Sequence, residues 1–517
     1  MKISSHNGIL ARCVIGLALA LVVSLGAASD VAAQQPQRGG VLSVGFPSDT
    51  KTLDPTYSVQ FTERQVLYVI FNTLVSYGTD FSIHPELATS WSIENDGKRI
   101  VFKLRSGVKF QDGTDFNADA VKWNIDHRLD KEVASPQRQQ LDPIIQSVEV
   151  VDPTTVAFNL KERSPGLLSL LGERPGFMIS PTAAQKFGKD FGNHPVGTGP
   201  YVFKEWVKGS QITVERNPNY WEQGKPYLDR IVFRDIAASI VGVQRLATGE
   251  LDYVDQLSPQ EILQLKDRPG IKLYPITVGR WYSLQWHMYE PPFNNAKLRE
   301  AIAYGIDRKR INDIVMAGQG SLYEGPTPEG LWWFDANAKS YPYDPAKAKA
   351  LLAEAGYPNG FEYTLSTPQI GVLQQINQLI QEQLGAVGIK LKLDPVSQSE
   401  WYDRLVKRTT NMSPNRWTQR PDPDGLLYIL FHSKGYANTT GYKNEQVDKL
   451  LEEGRNTYDQ AARKKIYDQI QEILVKDIPM FSLFYSVEYG VLRDDIQGFA
   501  WIPDQIPRFR DLWKKPH

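Results

Sequence analysis

The chain offers few residues whose type and spacing suit catalysis or metal binding. No two of its seven histidines lie at a metal-ligand spacing, and no HExxH pattern occurs, which argues against a zinc site. The sequence also contains no GxSxG nucleophile pattern and no GxxxxGKS/T phosphate loop. Gly197 and Gly199 lack the third glycine of a dinucleotide motif, and Pro200 would break the helix that must follow. We therefore expect a turn between strands at this point, and the sequence predicts no catalytic centre, metal or cofactor.

One pair of carboxylates stands close enough in sequence for acid–base chemistry. Asp422 and Asp424, within Pro421–Gly425, could act together as a general acid and a general base. A proline-rich turn with solvated charges explains the same residues, and we favour that interpretation. A secreted hydrolase that uses these two carboxylates remains an alternative function.

The composition is that of an ordinary globular protein, with 41% apolar and 23% charged residues. The formal net charge of −1 provides no basic surface for nucleic acid, which we exclude as a partner. The length suits about two to four domains. The 12 Trp, 24 Tyr and 21 Phe fit either a large core or an aromatic ligand pocket.

The N-terminus has the features of a secretory signal peptide. Lys2 and Arg12 are followed by the apolar run Val14–Ala28, which is short for a membrane span, and Val31–Ala33 supplies small residues at a cleavage site. We expect residues 1–33 to be removed after Ala33, with a cut near Ala28 or an uncleaved anchor as alternatives.

Cys13 is the only cysteine, and it precedes the apolar run. It cannot carry the lipid of a lipoprotein, because that cysteine follows the apolar run. The mature chain would then have no thiol, which excludes disulfides and thiolate metal sites. The predicted product is a periplasmic protein of a Gram-negative cell that is not lipidated.

Periodicity places strands and helices alternately along the chain, which predicts a mixed α/β fold. Alternating apolar residues predict a strand over Lys98–Arg105, and Asn117 is expected to cap a helix over Ala118–Leu129. Asn294 or Asn295 is expected to cap one long helix that continues to Val315. Other predicted elements are the strands Val41–Phe46, Gln211–Arg216 and Met480–Tyr485, a helix opened by Asp344-Pro345, and a strand–helix–strand unit over Tyr363–Leu393.

Several segments closely match one family of binding proteins. The longest match lies within Pro85–Asn124, and others occur in order along the chain. The matching motifs are Glu86-Leu-Ala-x-Ser-Trp91, Phe102-Lys-Leu-Arg105, Gly107-Val-Lys-Phe110, Phe116-Asn-Ala-x-Asp-Ala-Val121, Gly197-Thr-Gly-Pro-Tyr201, Arg216-Asn-Pro-x-Tyr-Trp221 and Gly305-Ile-Asp-Arg308. On these motifs the chain resembles the extracytoplasmic solute-binding proteins of family 5, which serve peptide, nickel and opine ABC transporters.

The resemblance implies a type II periplasmic-binding-protein fold, with two lobes, an extra domain on the first lobe, and the ligand in the cleft between the lobes. It places the first lobe at about 38–56, 194–284 and 490–517, the extra domain at 57–193 and the second lobe at 285–489. The lobes would close on a peptide, an opine-like compound or another anionic small molecule. The closed monomer would deliver it to an ABC permease and its ATPase at the inner membrane. Chemoreception on the same fold remains an alternative.

The resemblance also identifies the segment that should decide the ligand. Peptide binders of this family hold the peptide ammonium with an aspartate in a Gly-Trp-x-x-Asp pattern, whereas this chain has Arg416-Trp417-Thr-Gln-Arg420. An arginine repels an ammonium group but binds a carboxylate through its planar fork. We therefore expect Arg420 to face an anionic ligand, although it could instead point to solvent or pair with Asp422 or Asp424. Asp422 could also take over the ammonium-binding role if the loop is rearranged.

The remaining ligand candidates are chosen by position and residue type. Aromatic residues near the expected lobe crossover and second-lobe wall could face the ligand or belong to the core, and one histidine stands where the family has asparagine. These candidates are Trp281, Tyr282, Trp401, Trp417, His287, Tyr57 and Ser58, together with Arg416.

Overall fold

Three sheets of three or more strands form the framework of the fold. The structure is a computed structural model that describes residues 35–46, 50–236, 239–276, 278–338, 341–369, 371–410 and 412–516. The expected signal peptide at 1–33 lies outside the described residues. From Arg38 onward the chain forms one compact unit. Within the described ranges, no helix has the length and apolar character needed to cross a membrane.

The largest sheet has seven strands, and we call the part of the chain around it the large-sheet region. Its middle strand Val41–Phe46 runs parallel to Arg230–Asp235, and its inward side chains are buried. The helix Phe61–Ile70 packs Val66, Leu67 and Ile70 into the same core. In spatial order the strands are Ile271–Ile276, Glu488–Arg493, Tyr253–Val254, Val41–Phe46, Arg230–Asp235, Gln211–Arg216 and Tyr201–Val207.

A four-stranded antiparallel sheet forms the second unit, which we call the four-strand region. Its strand Arg99–Leu104 buries Ile100, Phe102 and Leu104, which confirms the strand predicted from their alternation. The helix Ala118–Leu129 begins after Asn117, whose side chain accepts a hydrogen bond from the Ala120 N–H, as predicted. In spatial order the strands are Ala88–Glu94, Arg99–Leu104, Thr155–Leu160 and Ile145–Asp152.

A three-stranded antiparallel sheet is the centre of the third unit, the small-sheet region. Trp281–Trp286 lies between Met412–Trp417 and Met480–Tyr485. A parallel pair, Phe361–Pro368 with Ile389–Val396, is connected by a helix over Gly371–Ala386, which confirms the predicted strand–helix–strand unit. Short two-stranded pairs complete the strand inventory at Val75–Tyr77 with Ile83–Pro85 and at Ile496–Gln497 with Trp513–Lys514.

The chain passes twice between the large-sheet and small-sheet regions, at adjacent places. One passage leads from Ile271–Ile276 to Trp281–Trp286, and the other leads from Met480–Tyr485 to Glu488–Arg493. The two passages are hydrogen-bonded to each other, because Ser486 N–H donates to the Arg280 carbonyl. Two short adjacent connections of this kind can serve as a hinge.

The prediction of one long helix after Asn294 or Asn295 is wrong. Asn295 does cap a helix, but the helix ends at Gly305, and a second begins after Asp307, whose side chain accepts from the Arg310 N–H. The helix is thus interrupted before Asp307, although the apolar periodicity continues to Val315. The α-helices are Phe61–Ile70, Ala118–Leu129, Arg138–Leu141, Leu167–Leu170, Pro181–Phe187, Ser239–Thr248, Pro259–Leu265, Ala296–Gly305, Arg308–Val315, Pro345–Glu354, Gly371–Ala386, Gln398–Val406, Leu427–Phe431, Glu445–Asn456 and Gln460–Asp477.

Candidate ligand-binding site

Two cavities flank the segment Arg416–Asp424, which begins in the strand Met412–Trp417 and continues into a loop. The large cavity has a volume of about 690 Å³ and lies between the four-strand region and the small-sheet region. The small cavity has a volume of about 470 Å³ and lies beside the two passages between sheets. Arg420 lines the large cavity, and Arg416 lines the small one. The two arginines that depart from the family pattern therefore serve different cavities.

Arg420 is a half-buried cation that has only neutral hydrogen-bond partners. Its Nη1 donates to the Thr418 Oγ1 at 2.7 Å and to the Gln419 carbonyl at 3.3 Å. The carboxylates with which it could have paired are engaged elsewhere, since Asp422 binds Arg463 and Asp424 binds Arg455. No described carboxylate lies within ion-pair distance of Arg420.

Arg420 belongs to a cluster of three arginines around one glutamate, consisting of Arg64, Glu173, Arg174 and Arg420. Burial favours a higher pKa for Glu173, but the charges of Arg420, Arg64, Arg174 and Arg508 together outweigh it and lower that pKa. Arg64 lies 3.4 Å from the glutamate, as an ion pair. Glu63 also acts on Arg174, and Arg508 is paired with Asp504, so within this cluster Arg420 and Arg174 are the guanidiniums without a described carboxylate in ion-pair contact.

Arg174 has only neutral hydrogen-bond partners among the described residues, although it lies close to other positive charges. Its guanidinium donates to the Gln60 carbonyl at 2.6 Å and to the Ser58 Oγ at 3.3 Å, both neutral acceptors. Burial, with the charge of Arg64 added, lowers its pKa to about 9. A buried cation with a lowered pKa gains free energy when an anion binds beside it.

Buried polar atoms without a partner lie along the same segment. Among the described residues these include the Trp417 Nε1, both amide atoms of Gln419 and the Arg64 Nε. None of these residues lines either cavity.

The small cavity is lined by Arg280, Tyr282 and Arg416. Arg280 lies 3.7 Å from Glu488, and Tyr282 is stacked on Phe484 at 4.8 Å between ring centroids. Burial raises the pKa of Tyr282, which keeps its hydroxyl protonated at neutral pH. Two arginines and one carboxylate make this cavity positive as well.

Asp422 is not free to bind an ammonium group. Both of its carboxylate oxygens accept from Arg463, at 2.8 and 2.9 Å, and both residues are buried. Asp424 accepts from Arg455 at 2.9 Å, and burial raises its pKa. The hydrolase alternative would need these two carboxylates for proton transfer, but each is engaged by an arginine.

Trp281, Trp401 and Trp417 line neither of the two cavities. Trp281 is buried and donates from its indole nitrogen to the Ser482 Oγ at 3.1 Å. Trp401 is also buried and donates to the Ser413 Oγ at 2.6 Å. Trp417 is half-buried, with the unpartnered nitrogen already noted.

His287, Tyr57 and Ser58 also lie outside the linings of both cavities. His287 is buried beside Tyr289, and burial followed by the charge of Arg408 lowers its pKa. Tyr57 is 39% exposed. Ser58 contacts the arginine cluster rather than a cavity. Its hydroxyl accepts from Arg174 and donates to the Glu63 Oε2 at 2.7 Å. The role of these predicted residues in binding stays a prediction.

Sequence reasoning missed Arg64, Glu173, Arg174 and Arg280. A usable signal was present for two of them, since Glu173-Arg174 interrupts an otherwise apolar, Gly/Pro-rich stretch. No group of three or more metal-binding side chains occurs in the described residues.

Comparisons with known proteins identify the family of this chain. The family model for bacterial extracellular solute-binding proteins, family 5 middle, matches residues 82–438. The chain belongs to this family. The glutathione-binding protein GsiB of Shigella flexneri is 33% identical over 511 residues, which cover 96% of this chain and 97% of that protein.

Two solved structures extend the comparison. The periplasmic binding protein DppA of Helicobacter pylori in complex with the peptide STSA is 28% identical, with a TM-score of 0.82 over 94% of this chain and 100% of that chain. The binding protein AgaA of A. tumefaciens R10 in complex with agropinic acid is also 28% identical, with a TM-score of 0.79 over 92% and 99% of the two chains. The fold is therefore the two-lobe periplasmic-binding-protein fold, and the protein is a substrate-binding component of an ABC importer.

Proposed function

We propose that this protein captures an anionic small molecule in the cleft between its lobes, with Arg420 and Arg174 as the anion-binding group and Arg64 as the partner of Glu173. The observation that carries this proposal is the arginine cluster, in which Arg64 pairs with Glu173 while Arg174 and Arg420 hydrogen-bond only neutral groups. An arginine–carboxylate pair in a desolvated cleft contributes on the order of 2–5 kcal/mol when measured by truncation.

The ligands named for the related proteins are consistent with this chemistry. GsiB is named for glutathione, which carries two carboxylates beside one free amine, and AgaA is bound to agropinic acid, which also carries a carboxylate. A free peptide ammonium at the position of Arg420 would meet the positive cluster and be repelled. A ligand with an acid group, and without a free amine at this place, therefore fits the site best.

Membership of the family supports the remaining parts of the proposed function. We infer that the chain is exported to the periplasm by a cleavable signal peptide, acts as a monomer, catalyses no reaction itself, and delivers its ligand to a permease and ATPase. The lobe limits also stay a proposal, namely 38–56, 194–284 and 490–517 for the first lobe, 57–193 for the extra domain and 285–489 for the second lobe. The three sheets draw their strands almost entirely from these three sets.

Purified protein should retain its ligand, which mass spectrometry would identify after denaturation. Calorimetric titration would then compare an amine-free acid such as N-acetylglutamate with free-amino dipeptides, and glutathione, which carries two carboxylates and one free amine, would be titrated as the intermediate case. We expect Arg420→Ala to weaken the acids at least about 30-fold, which corresponds to about 2 kcal/mol. Arg310→Ala is the matched control, because Arg310 is exposed and pairs with Glu382 away from the cavity. Retention of free-amino dipeptides alone, with affinities unchanged by Arg420→Ala, would overturn the proposal.

A further inference from the structure

The large cavity extends well beyond the arginine cluster. One wall comes from residues 138–144 and 166–174 of the four-strand region, and the other comes from residues 420–436 and Arg455 of the small-sheet region. Its volume of about 690 Å³ falls within the range of about 300–1,000 Å³ that is typical of sites for whole small molecules. A single carboxylate bound to Arg420 would fill only one end.

Beside its charged lining residues, which include Arg138, Asp142, Lys434 and Arg455, the cavity has apolar side chains on both walls. Ile144 and Leu170 contribute from the four-strand region, and Tyr428 and Ile429 contribute from the small-sheet region. All four are half-buried, so each presents apolar surface that an occupant would remove from water.

The Tyr428 ring is held in place by charged and aromatic neighbours. The Arg455 guanidinium lies 3.6 Å from the ring centroid, and the His432 ring is stacked on it at 4.2 Å. Arg455 is itself fixed by Asp424. A preorganised wall of this kind favours a defined apolar group over a disordered one.

These observations combine with the charge at Arg420. A ligand derived from an amino acid would place its amine near the positive cluster, where an ammonium group is repelled. Acylation of that nitrogen removes the charge and adds an apolar chain at the same atom. We propose that the large cavity binds N-acylated amino acids, with the acid groups on the arginine cluster and the acyl chain between Leu170 and Ile429. This inference rests on the proposed function, since it assumes the anionic head group.

The test is a series of N-acylglutamates, from acetyl to pentanoyl, titrated calorimetrically into the full-length mature protein. We expect affinity to rise about two- to fourfold with each methylene, the value for burial of an alkyl group. The variant Leu170→Ser/Ile429→Ser should flatten this series, with the largest loss of affinity for the pentanoyl compound and the smallest for N-acetylglutamate. Arg420→Ala should weaken every member and leave the slope intact.

The outcomes separate the two proposals. A flat series in the wild-type protein, with tight binding of every acid, would overturn the acyl-chain inference alone, whether or not the double variant folds. Equal affinity for N-butanoylglutamate and its uncharged diamide would instead overturn the proposed anionic function. A rising series of acids, with weak binding of the diamide, supports both.

Discussion

Asp422→Ala should destabilise the fold rather than abolish ligand binding directly. Asp422 and Arg463 are 8% and 5% exposed, and two hydrogen bonds of 2.8 and 2.9 Å join them. Removal of one partner leaves a buried, uncompensated charge, which typically costs about 3–5 kcal/mol. The Asp422 side chain also accepts from the Asp424 N–H at the start of a 3-10 helix, and the loss of this cap adds to the cost.

Thermal and urea unfolding, followed by tryptophan fluorescence, would measure this effect. If the proposed second lobe of about 200 residues unfolds as its own cooperative unit, a loss of 3–5 kcal/mol lowers its Tm by about 6–20 °C. Arg463→Met should cost as much, whereas Asp422→Leu/Arg463→Met should lose less than either single variant, because no buried charge remains unpaired. If Asp422→Ala unfolds within about 1 kcal/mol of the wild type yet no longer binds ligand, then Asp422 contacts the ligand and the reasoning is wrong.

Two further predictions concern a buried acid and a contact across the cleft. Asp255 is buried, and burial raises its pKa to about 6 despite hydrogen bonds to it, so its cost to the folded state grows as pH rises from about 4 to 6. Asp255→Asn should therefore gain up to about 3 kcal/mol relative to wild type between pH 4 and 7.5 in urea unfolding, and parallel pH profiles would contradict this. The Tyr458 hydroxyl donates to the Gly97 carbonyl at 2.9 Å, which connects the four-strand and small-sheet regions. Tyr458→Phe should speed ligand release about fivefold in stopped-flow measurements, since one hydrogen bond contributes about 1 kcal/mol, and an unchanged rate would exclude this contact from closure.

Local signals predicted much of the fold. Asn117 and Asp344 begin helices where expected, because an N-cap acts on backbone N–H groups only two or three residues away. The strand Met412–Trp417 was not predicted, since its sequence lacks apolar alternation. It is specified by pairing with Trp281–Trp286, about 130 residues earlier in the chain.

The site was less predictable than the fold for the same reason. Arg420 could be singled out because it departs from a pattern that the rest of the chain made recognisable. Arg64 and Glu173 are separated by 109 residues, and nothing in either local sequence indicates that they meet. Asp422 illustrates the opposite error, because a carboxylate in the right segment is occupied by Arg463, a residue 41 positions away.

The arginine cluster also bears on how the lobes close. Arg420 belongs to the small-sheet region, whereas Arg64 and Arg174 come from the opposite side of the cleft, so closure brings like charges together. Glu173 offsets part of this repulsion through its ion pair with Arg64, and an anion bound between the lobes would give Arg420 and Arg174 the carboxylate partner that they lack. A ligand shifts the equilibrium by as much as its affinity for the two states differs, and an anion that contacts both sides binds the closed state more tightly. Under the proposed function, the excess of positive charge therefore selects the ligand and also makes closure depend on it.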